Sequence, residues 1–229
     1  MSSTALLYAL LSGILPSFIW IFFWLREDRQ YPEPRSLLVA CFFGGMLAVG
    51  AAVFIEQYIA KIYTDPTIRY TLWAATEEIL KFIAIALIGI RSQANDEPID
   101  AMIYCIVVAL GFAALENALF IMGPLSDGEI ARSIVTGNMR FMGATLLHVV
   151  SSASIGFSIG YFFYHGRIVK IIAAVIGIIG AIAIHAIFNL SIIEASSNST
   201  LQTFSWIWGA VVIMIILFEE IKVVRPKLW

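Results

Sequence analysis

An all-α, polytopic transmembrane bundle of about seven spans is the fold class this sequence predicts, and three observations predict it. Hydrophobic residues make up 60% of the 229 and charged residues only 13%. Mean hydropathy is +0.90, and a water-soluble domain could not cover so much apolar surface with so few charges. A membrane helix needs about 20 mostly apolar residues, and stretches of that length recur along the chain with turn and charge chemistry between them.

The first stretch, 4–25, follows MSSTALLYALLSG, which lacks the basic segment of a secretory signal and reads as the start of a retained helix. REDRQYPEPR at 26–35 ends it, and 37–60 follows as the second span. KIYTDPTIR then leads into 70–90, RSQANDEP into 100–122, and GPLSDGE into 139–164. HGR at 165–167 separates that span from 168–193, and ASSNST at 195–200 introduces the last, 203–220. No connection is long enough to fold separately, so 1–229 reads as one membrane-embedded domain.

Basic residues set the orientation. Arg26, Arg29, Arg35, Arg91, Arg167, Lys170, Lys222, Arg225 and Lys227 fall on one side, against Lys61, Arg69 and Arg132 on the other. The basic side is cytoplasmic, with the N-terminus outside and the C-terminus inside. A net charge of −2 gives no reason to expect a nucleic-acid partner. Cys41 and Cys105 lie in apolar runs without ligand-forming neighbours, which predicts free buried thiols.

Polar residues inside spans are costly and mark function. There are four such clusters: EEILK at 77–81, EN at 116–117, His148, and HAIFN at 185–189. At 1.5 Å rise per residue, Glu77 and Glu116 fall about 10 Å below the outer end of their spans, and His148 and His185 about 12 Å. Four successive helices thus place their most expensive side chains in one layer of the outer leaflet.

Within EEILK, Glu77 and Glu78 point about 100° apart around the helix. One can pair with Lys81 while the other faces a reaction centre as general base for water. Glu116 is a second carboxylate to hold water or pass its proton, and Asn117 lies beside it. His185 and Asn189 share a helix face and can stabilise an oxyanion. Arg140 either anchors at the outer surface or helps close the site, and the anchor is the favoured reading. Gly143, Ser152, Gly156 and Gly160 read as close-packing positions. The serines at 151, 152 and 154 lie near His148, but a serine nucleophile is disfavoured. No GxGD-like aspartate is present.

EExxK, GFxxxEN, an arginine-led span with a single His, and HAxxN, in this order over 70–193, resemble the PrsW family of membrane proteases, related to CAAX prenyl endopeptidases and Abi immunity proteins. The resemblance implies a bacterial cytoplasmic-membrane endopeptidase with a four-helix catalytic core at 70–193. Its substrate would be a single-pass membrane protein, such as an anti-sigma factor, cut near the extracytoplasmic side. It implies Glu77, Glu78, Glu116, His148, His185 and Asn189 as the catalytic set, with Lys81, Asn117 and Arg140 in support. The relatives' FxxxH motif appears here as FAALE, which leaves the role of Glu116 open.

No HExxH is present, and metal-free glutamate/histidine catalysis is the favoured form. If a divalent metal such as zinc binds, its ligands come from Glu77, Glu78, Glu116, His148 and His185. Two other functions fit the inventory: a proton-coupled transporter, and a non-catalytic scaffold or immunity protein. The clusters form a layer rather than a ladder across the membrane, which speaks against transport.

Overall fold

The computed structural model describes residues 3–27, 32–193 and 197–226, and every regular element among them is helical. The order is α1 (Ser3–Glu27), α2 (Arg35–Ile62), α3 (Pro66–Ile85), α4 (Asp100–Ser126), α5 (Ile130–Met139), α6 (Thr145–Tyr161), α7 (Arg167–Ile193) and α8 (Ser197–Lys222). Two π-helical turns interrupt the α-geometry. Ala86–Ile90 extends α3, and Arg140–Ala144 joins α5 to α6. Arg29, Lys227 and the first two residues of the 195–200 break lie outside the described residues.

Six of the described helical rods are long and apolar enough to cross a membrane, against the seven spans expected. The difference is the third rod. It reaches from Pro66 to Ile90 but carries Arg69, Glu77, Glu78 and Lys81. Its first turn is a well-formed start: Pro66 stands at the N-terminus, and the Asp65 carboxylate accepts the Ile68 amide at 2.9 Å. That cap begins the helix one turn before position 70. The fifth rod also begins early, at Ile130 instead of 139.

α4 is the axis of the bundle. It is apolar all round and buried along nearly its whole first half, with α1, α2 and α6 against it. Small residues permit the close crossings. A methyl group at Gly45 would stand 2.0 Å from the Val108 carbonyl oxygen, and one at Gly156 would stand 2.4 Å from Met102 Cα. The outward faces are strongly apolar, with Leu47 78%, Phe54 77% and Ile168 75% exposed. Such a surface suits lipid, and the protein is a multi-pass membrane protein.

At the other end of α4 from the predicted layer, Tyr104 donates its hydroxyl hydrogen to the Glu33 carboxylate. Asp100 accepts the amides of Asp96 at 2.9 Å and Glu97 at 2.6 Å. These bonds tie the 91–99 connection and the start of α2 to α4. Cys41 and Cys105 are free and buried.

Candidate active site

Helix geometry separates the two adjacent glutamates of α3. Glu78 is 0% exposed and receives a charge-assisted hydrogen bond from Lys81 Nζ at 2.6 Å. Ser151 donates to the same carboxylate at 2.9 Å and Ser152 at 3.4 Å. Ser151 and Ser152 therefore hold Glu78, so Ser152 does more than permit packing. Glu77, one residue earlier, faces the cavity. Its Oε2 is buried and has no hydrogen-bond partner.

Two histidines meet at that oxygen. His185 of α7 has its Nδ1 2.7 Å from Glu78 Oε1, leaving Nε2 3.8 Å from Glu77 Oε2. His148 of α6 has its Nε2 2.8 Å from Glu116 Oε2, leaving Nδ1 3.8 Å from the same Glu77 oxygen. Each imidazole is thus held at one nitrogen by a carboxylate and turns the other toward Glu77. A carboxylate acceptor fixes the tautomer with hydrogen on the held nitrogen, so the free nitrogen carries a lone pair. The rings stand 5.1 Å apart at 82°. Lys81 Nζ is also 3.1 Å from His148 Nδ1.

Arg140 ion-pairs with Glu116 and donates from Nε to Asn117 Oδ1 at 2.6 Å; Asn117 in turn donates to Thr145 at 2.9 Å. The expected surface anchor is therefore part of the site. The π turn at Arg140–Ala144 changes the helix phase just where Arg140 turns inward. The structure brings Glu77, Glu78, Lys81, Glu116, Asn117, Arg140, His148 and His185 into one continuous network. Asn189 makes no direct contact in it but lines the same cavity, of about 430 Å³, as Glu77, Glu116, His148 and His185.

Sequence reasoning passed over Glu56. It projects from α2, lines that cavity, and its carboxyl lies within hydrogen-bonding reach of Glu77. Trp73 donates its indole hydrogen to the Glu56 carbonyl at 3.2 Å, which pins α2 to α3 at this level. Depth counting could have found it. Glu56 is six residues short of Ile62, the end of α2, or about 9 Å along the axis.

Comparison with known proteins places this network in context. A family model described as PrsW family intramembrane metalloprotease matches residues 33–220. The chain belongs to the PrsW family. The match reaches well beyond 70–193 and takes in the helix that bears Glu56. Protease PrsW of Geobacillus kaustophilus (strain HTA426) is 30% identical over 133 residues, covering 56% of this chain and 59% of the relative. Protease PrsW of Bacillus subtilis (strain 168) is 28% identical over 134 residues, covering 56% and 61%. Protease PrsW of Clostridioides difficile (strain 630) is 24% identical over 164 residues, covering 69% and 67%. The chain thus spans about three fifths of the length of the first two relatives it matches. No solved structure matches it.

The metalloprotease description can be tested against the donor set. One atom each from Glu77, His148 and His185 lies within 4.8 Å of the others. Donors around a tetrahedral zinc with bonds of about 2.1 Å stand roughly 3.4 Å apart. The two 3.8 Å separations at Glu77 Oε2 lie close to that spacing. An orphaned carboxylate oxygen, two ring nitrogens that carry lone pairs (that of His148 facing Lys81 Nζ at 3.1 Å) and a carboxylate behind each ring form a His₂Glu set with its supporting partners. The residues fit a divalent metal.

Proposed function

We propose that this protein is an intramembrane endopeptidase that hydrolyses a peptide bond in a single-pass membrane protein, close to the extracytoplasmic surface. The observation that carries the reading is the convergence of two carboxylate-held histidines on the unpartnered Oε2 of Glu77, at the wall of a cavity large enough for a peptide segment. The named relatives, each called Protease PrsW, support it. By the resemblance, the substrate is an anti-sigma factor and the cut is its first. The catalytic unit is the α3–α7 region, with α2 contributing Glu56.

Glu77, His148 and His185 would hold a divalent cation such as zinc, which when bound acidifies a coordinated water and polarises the scissile carbonyl. The two ring nitrogens that face Glu77 favour this over the metal-free form that motif reasoning prefers. For His148 Nδ1 to serve as a ligand, Lys81 would release it at 3.1 Å and keep its 2.6 Å bond to Glu78. Glu78 orients His185 and Glu116 orients His148. Lys81 and Arg140 neutralise those two carboxylates, so that neither competes with Glu77 for positive charge. Glu56, beside Glu77 on the cavity wall, takes the proton that water gives up on attack. Asn189 donates its amide hydrogen to the substrate carbonyl as negative charge develops on oxygen.

The test is co-expression with tagged single-pass proteins of the same genome. Wild type yields a shortened fragment, and Glu77→Gln yields none while remaining folded. Fragment formation by Glu77→Gln, or partner binding without cleavage by the wild type, would show a scaffold instead of an enzyme.

A further inference from the structure

A second cavity, of about 230 Å³, lies between α2 and α4 beside the reaction chamber. Val49, Ala52 and Val53 line it from α2, and Phe112 and Leu119 from α4. Glu56, Glu116 and Phe120 line both cavities and so form the neck between them. The helix pair explains the shape. At Gly45 and Gly111 the two backbones touch, since a methyl at Gly111 would stand 1.9 Å from the Phe42 carbonyl oxygen. Glu56 is eleven residues beyond Gly45, about 16 Å along the axis. Near Glu56 the pair leaves open space, which the small side chain of Ala52 borders.

We infer that this side cavity is a substrate subsite, which takes one large aliphatic or aromatic side chain from the transmembrane segment, adjacent to the bond being cut. The inference rests on the proposed peptidase function. Three features select that occupant. The neck is polar where a peptide backbone would cross from Glu56 to Glu116, and the interior is apolar where a side chain would enter. The volume suits a leucine or phenylalanine, whereas a whole helix would not fit. A segment arriving from lipid carries such side chains at most positions. An apolar pocket of this kind discriminates by about 10- to 200-fold per methylene gained or lost.

The experiment takes the single-pass protein cleaved in co-expression, maps its cut by mass spectrometry, and replaces each residue flanking the cut by Ala, Leu and Phe. Relative kcat/KM values are then compared for wild type, Ala52→Phe, which fills the cavity, and Leu119→Ala, which enlarges it. At one flanking position, wild type should prefer Leu over Ala. Ala52→Phe should lower that ratio by about tenfold or more, and Leu119→Ala should move the preference toward Phe. Should Ala52→Phe fail to fold, the partly exposed Leu119 carries the comparison, since its truncation adds no bulk. Ratios unchanged within about twofold in the folded variants would overturn the subsite. So would equal slowing of every guest residue, which would mark the cavity as a seat for a lipid chain. If wild type cleaves no single-pass protein, the peptidase reading falls and the subsite falls with it. If cleavage is normal but guest preference is insensitive to both variants, only the subsite falls.

Discussion

Two buried acidic clusters lie toward opposite ends of α4, inner and outer in the orientation that the basic residues predict, and they differ in what their oxygens have left to do. At the inner end, Tyr104 donates to Glu33, and two backbone amides donate to Asp100. At the outer end, Glu78 and Glu116 are as fully engaged, by Lys81, two serines, Arg140 and the histidines. Only Glu77 there keeps a buried oxygen without a partner. Burying a polar group unbonded costs free energy that folding does not recover. The inner cluster avoids that cost and reads as a brace for a connection. The outer cluster accepts it at one atom, surrounded by groups that orient two lone pairs toward it. Burial alone therefore does not distinguish a site; unspent bonding capacity beside a cavity does.

The comparison is most easily broken at Glu77. Glu77→Gln should lower cleavage at least about 10³-fold, a loss typical of removing a reacting group, with an unchanged thermal transition in detergent. Chelation should have a comparable effect, reversed by added zinc, and purified wild type should carry bound metal that Glu77→Gln loses. A chelator-resistant enzyme without bound metal would return the site to the metal-free form.

Glu78→Gln should fail differently. Lys81, 0% exposed, would lose its countercharge, and stripping one partner from a buried pair costs about 3–5 kcal/mol. Stability and activity should both fall. The double variant Glu78→Gln with Lys81→Met should recover much of the stability, since removing a whole buried pair is often neutral. It should not recover cleavage, because a neutral amide in place of the carboxylate holds His185 more weakly and makes its ring a poorer ligand. A double variant that regained full activity would show that Glu78 serves only to neutralise Lys81. Glu116→Gln should have a smaller effect, about 10- to 100-fold in activity or metal affinity, as for other groups that orient a ligand.

How much of this was legible before the structure depends on which physical signal each residue sends. Span positions follow from hydropathy, and the shared depth of Glu77, Glu116, His148 and His185 follows from counting along helices. Their meeting could be anticipated because depth is a one-dimensional quantity. Rotation is not. Whether Glu77 or Glu78 faces the cavity depends on which neighbour supplies Lys81's company and which supplies open space, and sequence spacing leaves both faces available. The residue pattern alone favoured an anchor at Arg140 for the same reason, since its direction depends on a π turn that no local residue pattern announces. Glu56 was missed because it lies near the end of a span, where a charge looks like the start of a loop. The third rod shows the opposite bias: its site residues made it too polar to register as a span by composition.

The smallest expected effect falls on the inner cluster and sharpens the contrast most. Tyr104→Phe removes one hydroxyl and leaves the ring in its fully buried place. Glu33 then loses a donor in a site shielded from water, which should cost about 1–3 kcal/mol. The melting transition should fall accordingly, while kcat and KM for a cleaved single-pass substrate stay within about twofold, because no group that meets substrate has moved. Both ends of α4 contain buried carboxylates, so an argument from burial alone would predict equal sensitivity. A large loss of cleavage in Tyr104→Phe, with stability unchanged, would mean that the inner acids communicate with the chamber along α4. The division between brace and site would then have to be redrawn.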